Sequence, residues 1–127
     1  MNMIFAIFIG GGFGAVARHY AILQASKLFG DAFPYGTMIV NIAGSFLIGA
    51  IIEAFALKYN ASPEVRALLT TGFLGGFTTF SAFSLDVFKL AGTGQYAYAA
   101  GYAAASVFFS LLAVFAGAFL IRGVIGA

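Results

Sequence analysis

Residues Gly72 to Ser84 read GFLGGFTTFSAFS, in the middle of an apolar segment bounded by Arg66 and Asp86. This stretch does not describe a plain helix. The paired glycines Gly75 and Gly76, followed by the β-branched pair Thr78 and Thr79, lower helix propensity. In a membrane that loss falls where a helix most needs its own hydrogen bonds, so a break is expected within the stretch. Non-helical backbone at such depth persists only inside protein or beside a wet cavity, which makes the break a candidate ion or substrate site. The segment around it starts well: Ser62 is a capping hydroxyl and Pro63 suits a first helical position. A helix is therefore predicted from Pro63 to the glycines, continuing past the break to about Leu90.

Composition sets the surroundings of this segment. Of 127 residues, 62% are hydrophobic and 8% charged, whereas charged residues make up roughly a quarter of soluble domains. The chain reads as an integral membrane protein of the all-α class, a single domain over residues 1–127. At about 20 to 25 residues per span there is room for four helices and short connections. With no cysteine, disulfides and thiol chemistry are excluded. A net charge of +2, spread over the loops, argues against nucleic-acid binding. Ala15, Val16 and Ala17 resemble a signal-peptidase site, but no Lys or Arg precedes the apolar run, so the first span is expected to stay with the other three.

The first span, from about Met3 to Leu23, carries Gly10 and Gly14 four apart with Arg18 one turn on. Small residues at this spacing let helices approach closely. Arg18 lies roughly 22 Å along the helix, near the far end of such a span, where it either anchors at the interface or attracts anions to a vestibule. His19 reads as an interfacial polar residue. The second span, Tyr35 to Leu57, follows Pro34 and carries Asn41, Ser45 and Gly49 on one stripe. A carboxamide roughly 10 Å into a membrane helix either bonds a neighbouring helix or lines a wet path. Beyond the break, Phe80 and Phe83 share a face of the third span. The fourth span, Tyr96 to Ile121, repeats Tyr98, Tyr102, Ser106 and Ser110 every fourth residue, with Ala97, Gly101 and Ala105 as a second, small-residue stripe for close packing.

Four spans return both termini to one side. That side collects Lys58, Arg66 and Arg122, against Lys27, Lys89 and an outward Arg18 on the other. Because Lys and Arg bias sets orientation, so small a difference predicts insertion either way round. An antiparallel homodimer would use both orientations and bring two broken helices together.

Taken together, GFLGGFTTFSAFS, the Asn41-containing GTMIVNIAGSF, the glycine-rich GGFGAVARHY and Tyr102 with its serines resemble the Fluc, or CrcB, family of fluoride channels over essentially the whole chain. Ala82 and Asp86 depart from it, standing where the family often has threonine and glutamate. The resemblance implies a dual-topology homodimer in the cell inner membrane, with two fluoride pathways and a structural sodium ion between the broken helices. It further implies that backbone carbonyls of Gly75 and Thr78 hold the sodium. Phe80, Phe83, Asn41, Thr79, Tyr102, Ser106 and Ser110 then match the family's fluoride path, and Arg18 its vestibule.

The chemistry is compatible. Fluoride is strongly hydrated, so a pore must replace water with donors such as the Asn41 amide and the hydroxyls. Phenylalanine ring edges carry the positive part of the quadrupole. Three other classes fit the residues less well. A small dual-topology multidrug exporter calls for a buried carboxylate in the first span, which holds only Arg18. A non-transporting assembly subunit explains the small residues but not Asn41, Phe80, Phe83 and the serine row. An intramembrane enzyme is disfavoured further, because the spans supply neither a nucleophile with its base nor metal ligands.

Overall fold

A computed structural model describes residues 2–126. Four helical segments, Met3–Phe29, Tyr35–Leu57, Pro63–Gly92 and Tyr96–Ile125, are long and apolar enough to cross a membrane. They form α1 (Met3–Phe29), α2 (Tyr35–Leu57), a third span in pieces, and α6 (Tyr96–Ile125). The third span comprises α3 (Pro63–Ala67), a π-helical turn (Leu68–Leu74), α4 (Gly75–Phe77) and α5 (Phe80–Gly92).

Local chemistry sets the ends. The Asn2 side chain accepts from the Ile4 amide to start α1, and Gly30 stops it with a φ of 78° that only glycine adopts freely. Ser62 accepts from the Val65 amide with Pro63 behind it, the expected start of α3. Gly94, at φ 81°, turns the chain from α5 into α6. The second span has the predicted bounds. By contrast α1 continues to Phe29 and α6 to Ile125, which leaves Arg18 about 16 Å short of the end of α1 rather than near it.

The break is present, but its position differs from the simplest reading of the sequence. Gly75 is helical, at φ −62° and ψ −37°, and the extended residues are Thr78 (ψ 158°) and Thr79 (φ −154°, ψ 117°). The glycine pair instead packs. A Cβ on Gly76 would overlap the Gly11 carbonyl oxygen, and one on Gly14 the carbonyl oxygen of Phe73. Backbone thus lies directly on backbone along α1 and the first half of the third span, the close approach expected from small residues in a membrane.

A second close pairing joins α2 and α6, which run parallel in register from the Phe33–Tyr98 contact at one end to the Glu53–Arg122 ion pair at the other. Gly49 lies on the Val114 carbonyl and Gly117 on that of Phe46. The packing stripe of α6 is therefore Ala99, Tyr102, Ser106, Ala113 and Gly117, all buried. Within the chain, the stripe expected at Ala97, Gly101 and Ala105 is not the one that packs: Gly101 is exposed, with open space where a Cβ would stand.

Candidate functional site

Asn41 answers the break directly. Its Nδ2 donates to the Thr79 carbonyl oxygen at 3.0 Å, and its Oδ1 accepts from the Thr79 amide at 2.7 Å. One carboxamide, from a helix 38 residues away in sequence, thus satisfies both backbone groups of a residue that has left the helix. Unpaired, those groups would each cost about 1–3 kcal/mol in a buried setting. Thr79 is buried, 7% exposed, and its own hydroxyl accepts from the Ala82 amide at 3.0 Å, capping α5. Of the two readings of Asn41 left open by the sequence, the bond to a neighbouring helix is present. The residue also borders a cavity, with one N–H of the carboxamide beyond the bond to Thr79.

That cavity, of about 650 Å³, lies between α2, the third span and α6. It brings together Asn41, Gly75, Thr78, Thr79, Phe80, Phe83, Ser106 and Ser110. None of its lining side chains is ionisable. Ser106 is buried, and its hydroxyl has no hydrogen-bond partner. Phe83 is tucked in, with its ring centroid 5.5 Å from that of Phe80. The Phe80 ring itself is 77% exposed, on an open side that also shows Gly75 and Thr71. The arrangement combines uncharged donors and aromatic edges along one cleft. It can replace part of an anion's hydration shell and offers no group that takes up a proton.

Two predicted site residues stand outside the cleft. Tyr102 is fully buried beyond Phe83, their centroids 5.3 Å apart, and meets Phe33 edge-on at 5.5 Å. Its hydroxyl donates to Asp86 Oδ2 at 3.0 Å. Arg18 is half-buried on α1 and does not border the cleft.

Sequence reasoning missed the partnership of Asp86 with Tyr102, and it missed Thr37, Thr70 and Thr71. Thr37 is buried one turn before Asn41, so the Asn41–Ser45 spacing simply extends one step back. Thr70 and Thr71 reach the cleft from the π-helical turn, whose extra residue shifts the helical phase that a regular period would assign.

Comparison with known proteins covers nearly the whole chain. The family model described as CrcB-like protein, Camphor Resistance (CrcB), matches residues 5–118. A relative from Chelativorans sp. (strain BNC1), named fluoride-specific ion channel FluC, is 47% identical over 98% of this chain and 100% of its own length. Relatives of the same name from Rhizobium johnstonii (strain DSM 114642 / LMG 32736 / 3841) and Rhodospirillum centenum (strain ATCC 51521 / SW) are 51% identical over 94% of the chain and 98% of their length, and 48% over 96% and 97%. With so many positions shared over nearly the full length, the chain belongs to the CrcB-like family.

Proposed function

We propose that this chain is the subunit of a passive fluoride channel in the cell membrane, working as an antiparallel homodimer. The observation that carries the reading is the cleft: a helix break, unspent hydroxyl and amide donors, and phenylalanine edges line one cavity free of ionisable groups. The relatives' shared name supplies the anion. Fluoride entering the cleft meets the second N–H of Asn41 and the hydroxyls of Thr79, Ser106 and Ser110, with Phe80 and Phe83 presenting ring edges. Tyr102 continues the line of rings past Phe83, and Arg18 is assigned to the vestibule as a cation that raises local anion concentration.

The homodimer is favoured by the open side of the cleft, where Thr71 and the backbone at Gly75 are exposed and would otherwise face lipid. The balance of Lys58, Arg66 and Arg122 against Lys27, Lys89 and Arg18 favours opposite insertion of the two copies.

A structural sodium ion fits the same break. Gly75 and Thr78 line the cleft, and the amides that a continuous helix would offer their carbonyls are engaged elsewhere. Carbonyl oxygens so released suit a hard cation, which when bound supplies a fixed positive charge beside the anion path. An exporter coupled to protons is disfavoured by Glu53, which is held by Arg122 at 3.0 Å at the end of the bundle and does not border the cleft.

The test is efflux from liposomes containing the purified protein, read with a fluoride electrode and repeated with chloride. Rapid fluoride loss with retained chloride is the expected result. Equal leakage of both anions, or of neither, refutes the channel.

A further inference from the structure

We infer that Asn41 and Thr79 create the cation site without touching the cation: their side chains hold the two amides that would otherwise close on the carbonyls of Gly75 and Thr78. The inference rests on the sodium reading above and names the positioning residues on which that site depends.

In an α-helix the carbonyl of residue i accepts from the amide of i+4. For Gly75 that donor is Thr79, and for Thr78 it is Ala82. The Thr79 amide goes instead to Asn41 Oδ1 at 2.7 Å, and the Ala82 amide to the Thr79 hydroxyl at 3.0 Å. Each carbonyl is thus released by a side-chain oxygen that competes for its donor, the known way in which Asn and Thr draw backbone away from a helix. Glycine flexibility does not release them, because Gly75 keeps helical φ and ψ. The Asn41 Nδ2 bond to the Thr79 carbonyl fixes the peptide that links the two sites. A hydrogen-bond acceptor left bare near the middle of a membrane is costly, and a cation with oxygen ligands removes that cost.

The test is thermal unfolding of the full-length protein in detergent over a range of sodium chloride, with choline chloride holding ionic strength constant. Three variants are compared: Thr79→Ser, Thr79→Val and Asn41→Leu. Serine keeps the competing oxygen, so its sodium midpoint stays within about twofold of the wild type. Valine and leucine remove it, and the helical amide returns to its carbonyl, raising the midpoint by about tenfold or abolishing the response. A merely structural defect would lower the sodium-free melting temperature and leave the midpoint unchanged. If Asn41→Leu does not fold, the near-isosteric Thr79→Val and Thr79→Ser pair decides alone. Wild-type midpoints in the valine and leucine variants overturn the inference and leave the sodium site standing. A wild-type protein with no sodium-specific response overturns both.

Discussion

The hydroxyl of Tyr102 donates to Asp86 Oδ2 at 3.0 Å, joining the fully buried ring of α6 to the only carboxylate of α5. The bond ties α5, the half-helix beyond the break, to the α2–α6 pair. Replacing Tyr102 by Phe leaves the half-buried Asp86 without its donor and should destabilise the fold by about 1–3 kcal/mol. Adding Asp86→Ala should recover part of that loss. A double-mutant cycle by thermal unfolding in detergent reads the coupling directly, and strict additivity would show that the bond contributes nothing.

Phe80 offers a cleaner probe of the anion path, because its ring is 77% exposed and its loss creates no cavity within the chain. Phe80→Ile keeps an apolar side chain but removes the ring edge. Fluoride efflux should fall about two- to tenfold, in line with the ~0.5–1.5 kcal/mol attached to aromatic geometry. Size-exclusion chromatography should show the assembly intact. Efflux at the wild-type rate would remove Phe80 from the path.

Steric contrast tests the packing of the first and third spans. Gly14→Ala drives a methyl group into the Phe73 carbonyl, whereas Gly101→Ala meets open space. The first should cost about 1–3 kcal/mol as overpacking, and the second should leave the melting temperature unchanged or raise it slightly. Equal melting temperatures for the two variants would contradict the close approach of α1 to the third span.

Glu53 separates a channel from a proton-coupled exporter. Its carboxylate is engaged by Arg122, at an end of the bundle where the guanidinium is exposed. Glu53→Gln should leave fluoride efflux at the wild-type rate and produce no change in cationic-dye transport. A dye efflux that depends on Glu53 would restore the exporter.

Much of this architecture is written in local signals. Pro34, Ser62 with Pro63, and the turn around Gly94 mark element boundaries with short-range chemistry, and the spans follow from them. The break was legible as a region because both residue pairs weaken a helix. Its exact residue was not, since the choice between Gly75–Gly76 and Thr78–Thr79 is made by Asn41, 38 residues away. The α6 stripe failed for a related reason. Ala97, Gly101 and Ala105 have the right spacing, yet Gly49 and Phe46 of α2 decide that Ala113 and Gly117 face inward. Eight of the sequence-derived site residues meet in one cleft because they share regular helical periods or adjoin the break. Thr70 and Thr71 escaped because their turn is not regular.

The π-helical turn at Leu68–Leu74 makes the third span intolerant of a change in length. Its wider turn sets the azimuth at which everything downstream emerges: Gly76 toward α1, Thr78 toward Gly44 of α2 and Phe80 toward the open side. A deletion of one residue there would restore an ordinary helix, and so would look harmless by local propensity. Yet it would rotate the glycine seam away from its partner and carry the threonine break out of reach of Asn41. Natural variation in this span should therefore proceed by substitution, with gains and losses of single residues confined to the loops.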